Sequence, residues 1–265
     1  LVGDPSGKDE TRKILSEKDI KNNKNKLKEV FKKFVSFESS NNAILIDNYD
    51  WLTNLKYIDF LREIGSKFSV NKMMSLESIK QRLNREQNLS FLEFNYSLLQ
   101  AYDFLELKRK NNCKIQFGGS DQWGNIVSGI DLIRKINNEE VFGVTTPLIT
   151  TSSGKKMGKT ESGAIWLSED KLDVNSFWQY WRNTSDEDVV KFLYLFTEIE
   201  NKQIEKFKSL KGEEMNEVKI LLANEVTKLC HGEELAKSAE NEAKLILSSN
   251  ELDIKTLKNS KNKII

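Results

Sequence analysis

Apolar positions along the first half of the chain alternate between helical and strand-like spacing. Leu27, Val30, Phe31, Phe34 and Val35 fall on one stripe of a helix predicted over 16–36, with Ser16 and Asp19 at capping spacing. Phe37 to Asn42 is a polar link, and Ala43-Ile44-Leu45-Ile46 reads as a short buried strand. A helix from about Thr53 to Glu63 is stopped at Gly65. Further helices are predicted over 76–84 and 91–109. Lys114 to Phe117 is strand-like, Gly118-Gly119 is its turn, and the helix after it reaches about Ile136. Strands alternating with helices in this way predict an α/β fold, an open and mostly parallel sheet with helices on both faces.

The second half changes character. Thr150 to Gly163 is rich in Gly, Ser, Thr and Lys and reads as a mobile loop, followed by a strand-like Ala164-Ile165-Trp166-Leu167. After Asp173 only helical patterns remain, at about 174–182, 186–197, 201–209, 213–231 and 233–248, with Gly232 separating the last two. The pattern divides the chain into an α/β domain over 1–168 and a helical domain over 169–265.

Composition narrows the function classes. Among 265 residues, 41 Lys+Arg nearly cancel 40 Asp+Glu, so any RNA contact would come from local patches and not from net charge. With 38% hydrophobic residues and 14 Phe, the chain is too apolar and aromatic to be disordered. No apolar run approaches the roughly 18 residues a membrane span needs. Two distant cysteines, Cys113 and Cys230, exclude a disulfide scaffold or a Cys-rich zinc site and fit a reducing compartment. A single histidine, His231, excludes a multi-His metal centre, and its place in the last turn of a helix suits a structural role. The start, Leu1-Val2-Gly3-Asp4, carries neither an initiator Met nor a signal peptide and reads as cut.

Four constellations could carry chemistry. The helix over 91–109 is apolar nearly all round, which predicts burial, yet Tyr96, Gln100 and Asp103 share one face. A buried carboxylate is costly unless partnered. The stripe is therefore either solvated or satisfied in the core, or else it walls a small polar pocket. The second is Gln116-Phe117-Gly118-Gly119-Ser120-Asp121-Gln122-Trp123-Gly124-Asn125, where a strand gives way to a helix and the ligand crevice of an α/β sheet opens. The third, Ser153-Gly154-Lys155-Lys156-Met157-Gly158-Lys159-Thr160, lacks the first glycine of a phosphate-binding P-loop and precedes a strand-like segment where that motif needs a helix. Its lysines nonetheless suit a triphosphate. The fourth, Gly3-Asp4-Pro5-Ser6-Gly7-Lys8 with Arg12 beyond it, is by itself an Asp-Pro turn before a helix start.

Taken together, these strings resemble the tyrosyl-tRNA synthetases of the bacterial and organellar type, which are class I aminoacyl-tRNA synthetases. The resemblance covers nearly the whole chain: GDPSGK at 3–8, NYDW at 48–51, FSVNKMM at 68–74, QRLNRE at 81–86, YSLLQAYDF at 96–104, QFGGSDQWGN at 116–125, KMGKT at 156–160 and HGEE at 231–234. It implies a Rossmann-like catalytic domain ending in the lysine loop, followed by a helical domain of the anticodon-binding type. It assigns Asp4, Tyr96 and Gln100 to the α-ammonium of substrate tyrosine, Asp103 to the phenol hydroxyl and Gln122 to the carboxylate end. Gly119 and Asp121 would bind the ribose of ATP, and Leu148 and Ile149 would lie near adenine. Lys156, Lys159 and Thr160, with Lys8 and Arg12, would meet the pyrophosphate.

The implied partners are L-tyrosine, ATP with Mg²⁺ on its phosphates, tRNA(Tyr) and a second copy of the chain, in a bacterial cytoplasm or an organelle matrix. No histidine precedes His231, so the HxGH signature of class I synthetases and the first strand would lie before Leu1. The family's S4-like RNA-binding domain would likewise lie beyond the C-terminal side of these residues. The 265 residues alone are accordingly expected to activate tyrosine poorly, or not at all, unless the N-terminal segment is supplied. Tryptophanyl-tRNA synthetase is the near alternative, against which Asp103 argues. A non-catalytic RNA-binding derivative of a synthetase is the other, against which the lysine loop and Asp121 argue.

Overall fold

A computed structural model describes residues 15–37, 43–86, 88–154, 156–160 and 163–248. The chain falls into two units, the first formed by the residues up to Asn25 with Ile44–Leu148, the second by Lys26–Ala43 with the residues from Ile149 on.

In the first unit, a parallel pair of strands, β1 (Ile115–Gly119) and β2 (Phe142–Thr146), is joined by the helix α8 (Trp123–Asn137). This is one right-sized βαβ unit, with Ile115 opposite Phe142 and Gly119 opposite Thr146. It is the parallel sheet expected of an α/β fold, with two strands among the described residues. Helix α8 lies close over the sheet because position 143 has no side chain: a Cβ on Gly143 would sit 2.4 Å from Ile126 Cγ2. Packed against α8 is α7 (Tyr96–Asn111), whose Ala101, Phe104 and Leu105 are almost wholly buried with Leu132, Ile133, Ile64 and Trp51. Tyr102 stacks edge-on against Phe60 at 5.4 Å, and burial, helped by Glu106, pushes its hydroxyl up to about 12.

Several expected elements differ. The helix predicted over 16–36 is α1 (Glu17–Phe31), and its stripe is not buried: Leu27, Phe31, Phe34 and Val35 are exposed. Residues 43–46 form no regular element and pair with no strand among the described residues, leaving Ile44 68% exposed. The helix predicted from Thr53 to Glu63 is two short ones, α2 (Tyr49–Leu52) and α3 (Tyr57–Glu63). Between them the Thr53 hydroxyl and the Asn54 amide donate back to the Tyr49 and Asp50 carbonyls, in place of continuing the helix. The helix predicted over 76–84 is α5 (Glu77–Asn84), preceded by α4 (Val70–Met74). The one predicted over 91–109 breaks at Asn95 into α6 (Phe91–Phe94) and α7, where the Asn95 amide donates to the Phe91 carbonyl. Burial holds for α7, whereas Phe91 and Leu92 of α6 are exposed. The glycine pair is not a turn. Gly118 and Gly119 are the last residues of β1, and the turn is the single 3₁₀ turn Ser120–Gln122.

The second unit has a short antiparallel pair, β3 (Lys159–Thr160) with β4 (Gly163–Ala164), so only Ala164 of the predicted strand 164–167 joins a ladder. The rest is helical: α9 (Val174–Arg182), α10 (Asp186–Phe196), α11 (Asn201–Phe207), α12 (Glu213–His231) and α13 (Glu233–Ser248). Asp173 caps α9 by accepting from the Ser176 amide at 2.9 Å. Trp178, Trp181, Phe177 and Phe192 form the centre of its core. The Trp178 indole donates to Asn224 Oδ1 at 2.7 Å and the Asn224 amide donates to Glu240 Oε2 at 2.7 Å, which ties α9, α12 and α13 together. His231 ends α12, with its side chain fully enclosed, its Nδ1 3.3 Å from Glu169 and its ring edge-on to Phe177.

Candidate active site

Asp103 sits on α7 one turn beyond Gln100, and its hydrogen-bond partners come from α2 and the residue that precedes it. Its carboxylate is held from both sides: Trp51 Nε1 donates to Oδ1 at 2.8 Å and Asn48 Nδ2 donates to Oδ2 at 2.9 Å. Burial raises its pKa above the ordinary carboxylate value, and the hydrogen bonds from Asn48 and Trp51 act against that rise. A carboxylate can accept about four hydrogen bonds, so two acceptor sites remain after these donors. Trp51 is itself fixed, 7% exposed in the core with the Lys110 ammonium 4.8 Å from its ring centre. Asn48 and Trp51 come from the NYDW string, to which sequence reasoning gave no role. The available signal was two side-chain donors three residues apart, one helical turn, opposite an unpaired acid.

The rest of the predicted tyrosine site is partly assembled. Tyr96, Gln100 and Asp103 lie on α7 and are all half-buried. Gln100 Oε1 is buried with no hydrogen-bond partner, and so is Gln116 Oε1 on β1. Buried acceptors of this kind call for a donor, whether water or ligand. Gln122 ends the 3₁₀ turn and accepts from the Asn125 amide at 3.1 Å. Asp121 is exposed beside it, and Gly119 leaves it room: a Cβ there would lie 2.6 Å from Asp121 Oδ1 and 3.1 Å from Leu148 Cδ2. Leu148 and Ile149 are both exposed. Asp4, Lys8 and Arg12 lie outside the described residues.

A cleft of about 210 Å³ opens elsewhere in the first unit and is lined by none of the predicted site residues. There Lys72 and Lys135 pair with Asp131, which Arg134 also reaches from outside the cleft. Burial would raise that acid, but hydrogen bonds from Lys135 and Lys72 outweigh it and bring it to about 2.

The lysine segment belongs to the second unit. Lys156 is exposed, and its backbone forms a bridge with Thr150. Lys159 and Thr160 make up β3, while the placement of their side chains lies outside what is described. Among the described residues, no group of three His, Cys, Asp or Glu side chains could hold a metal ion.

Comparison with known proteins adds a second line of observation. The family described as tRNA synthetases class I (W and Y) matches residues 1–248. A tyrosine–tRNA ligase of Novosphingobium aromaticivorans is 57% identical over 240 residues, 90% of this chain and 59% of its own length. That of Rickettsia felis is 54% identical over 253 residues, 95% of this chain and 62% of its own. The chain thus spans about three fifths of the length of these curated relatives. Among solved structures, a C-terminally truncated mitochondrial tyrosyl-tRNA synthetase of Aspergillus nidulans is similar with a TM-score of 0.75 at 27% identity, covering 92% of this chain and 73% of that one. The corresponding protein of Coccidioides posadasii has a TM-score of 0.71 at 26% identity, covering 91% and 71%.

Proposed function

The chain belongs to the class I tRNA synthetase family of the tryptophan and tyrosine enzymes, and on that premise we propose that it carries the activity of a tyrosine–tRNA ligase. The substrates are L-tyrosine, ATP and tRNA(Tyr). The observation that carries this reading is the acid on α7, whose two oxygens are aimed by Asn48 and Trp51 beside the unpartnered amide oxygen of Gln100.

The chemistry follows from those groups. The phenol hydroxyl of tyrosine donates to Asp103. Phenylalanine offers no donor and leaves a buried carboxylate short of a partner, an effect for which tyrosyl-tRNA synthetases are themselves the standard worked case. Gln100, with Tyr96 and Asp4, takes the ammonium, which supplies the donor that Gln100 Oε1 lacks. Gln122 meets the carboxylate end. The tyrosine carboxylate attacks the α-phosphorus of ATP in line, pyrophosphate leaves, and tyrosyl-adenylate forms. The terminal ribose hydroxyl of the tRNA then takes the tyrosyl group and releases AMP. No covalent bond to the protein forms. The protein positions the reactants and stabilises charge developing toward the leaving group.

Gly119 and Asp121 hold the ribose, and Leu148 and Ile149 flank adenine. Lys156, Lys159 and Thr160, with Lys8 and Arg12, follow the charge onto pyrophosphate. Mg²⁺ would enter on the triphosphate, since the described residues offer it no protein cage. Residues 1–168 form the catalytic domain and 169–265 a domain of the anticodon-binding type. The working form is a homodimer, in a bacterial cytoplasm or an organelle matrix.

Calorimetric titration with tyrosine, phenylalanine and tryptophan, paired with tyrosine-dependent ATP–pyrophosphate exchange, tests the reading. Tyrosine is expected to bind in clear preference to both others, and Asp103→Ala to erase the preference over phenylalanine. Preferred binding of tryptophan would move the chain to the other branch of the family. Undiminished discrimination in Asp103→Ala would mean that this acid does not touch the ring.

A further inference from the structure

The lysine-bearing segment is tied down at its base by α10. Ser152, at its start, donates twice to one oxygen of Asp188: from its backbone N–H at 2.8 Å and from its hydroxyl at 3.0 Å. The Ser185 hydroxyl donates to the same Oδ2 at 2.9 Å and lies 3.0 Å from the Ser152 hydroxyl. Two residues before Ser152, the Thr150 carbonyl accepts from the ammonium of Lys191, one turn beyond Asp188 on the same helix. The far side of the segment is fixed as well. Met157 donates its N–H to the Ile149 carbonyl at 2.9 Å, Ile165 donates to the Gly158 carbonyl at 3.0 Å, and the backbone of Gly158 is hydrogen-bonded to the Tyr180 hydroxyl of α9. Met157 and Ile165 also rest on the helical core. Between these supports the chain turns at Gly154 and Gly158, both at left-handed φ.

Asp188 has an ordinary explanation, as an acid in the first turn of a helix whose N-cap is Ser185. That role does not require it to be 5% exposed, nor to take two of its three donors from a residue 36 positions away. An acid serving only the helix end is satisfied by solvent and its own cap. Here the burial is compensated by the segment that holds the lysines.

We propose that Asp188 is a positioning residue for adenylate formation: through Ser152 it holds the base of the segment 150–158, so that Lys156 and the residues after it meet the triphosphate in one place. This rests on the synthetase reading. A long ammonium side chain on an untethered loop would lose that freedom again at every turnover, and a backbone tethered in advance reduces the loss.

The test compares the full chain with Asp188→Ala, Asp188→Asn and Ser152→Ala by two readouts. The first is kcat and KM for tyrosine and for ATP in pyrophosphate exchange. The second is the rate of tryptic cleavage after Lys155 and Lys156 under native conditions, set against global stability in urea. In Asp188→Ala, kcat is expected to fall about tenfold with the KM for tyrosine unchanged, and cleavage to quicken about tenfold, the scale of one lost charge-assisted hydrogen bond. Asp188→Asn, which keeps one acceptor oxygen, falls between. Ser152→Ala moves both readouts the same way by less, leaves the Ser185–Asp188 contact in place, and decides the matter if Asp188→Ala does not fold. Unchanged cleavage in folded Asp188→Ala and Ser152→Ala overturns the tether. Faster cleavage with unchanged kcat overturns its role in the reaction. A wild-type chain that neither binds tyrosine in preference to phenylalanine nor shows exchange counts against the synthetase reading, and the cleavage rates still decide whether the tether exists.

Discussion

Trp51 and Asp103, 52 residues apart in sequence, meet through an indole N–H donated to a carboxylate oxygen at 2.8 Å. The contact joins a four-residue helix to the buried face of α7 and makes the orientation of the acid a property of the tertiary structure. Trp51→Phe leaves an aromatic ring to face Lys110 but removes this donor together with part of the buried indole. Stability is expected to drop by about 1.5–3 kcal/mol, the range for a hydrogen bond to a charged group, as read from urea denaturation. Tyrosine affinity should fall with it while that for phenylalanine stays where it was. A variant as stable and as selective as the wild type would show the bond to be idle.

The ionisation of Asp103 has a direction that can be measured. Burial lifts its pKa above the ordinary aspartate value, opposed by Asn48 and Trp51. The unfolded chain therefore ionises this group first, and above the raised pKa the buried charge subtracts from stability. Tyrosine binding, which uses the ionised form, is expected to be level at neutral pH and to weaken as pH falls through that raised value. Carboxyl-carbon NMR should find the midpoint above that of an exposed aspartate, and higher still in Trp51→Phe. A midpoint at or below the usual value contradicts the burial argument.

His231 makes the opposite contribution. Burial lowers its pKa from 6.5, and Glu169 only partly offsets this. Below 6.5 the unfolded chain takes up a proton that the folded chain refuses, so stability is full above 6.5 and declines as pH falls beneath it, by at most about 1.4 kcal/mol per pH unit for one group. His231→Gln should flatten that slope. Urea midpoints of the two proteins at pH 7.5 and 5.5 make the comparison, and parallel slopes would remove His231 from the account.

The closeness of α8 to β2 depends on Gly143. Gly143→Ala places a methyl 2.4 Å from Ile126 Cγ2 and should cost about 1–3 kcal/mol by overpacking. Ile126→Ala removes the offending atom at the cost of a cavity, so the double variant should lose less than the sum of the two singles. Strict additivity in thermal unfolding would mean that the helix shifts freely.

Read along the chain alone, the helical unit was legible almost to the residue. Helices 174–182, 213–231 and 233–248 stand where their periodicity and Gly232 put them, because amphipathic spacing is a local property. The burial of α7 and the polar stripe of Tyr96, Gln100 and Asp103 were legible for the same reason. Residues 43–46 and Gly118-Gly119 were misread because a short apolar run or a glycine pair becomes strand or turn only through its neighbours. The first pair with no strand among the described residues, and the second pair with Thr145 and Thr146 of β2.

The amino-acid sequence by itself determined which side chains the proposed chemistry draws on: an acid on an oily helix, an acid just after a strand that ends in two glycines, and a lysine-rich segment between two glycines. Only the tertiary structure decided how they are held. The donors to Asp103 come from 52 and 55 residues away, and the acceptor for Ser152 from 36. The reason is physical: helix and strand spacing act over a few residues, whereas a buried charge must find its partners wherever packing delivers them.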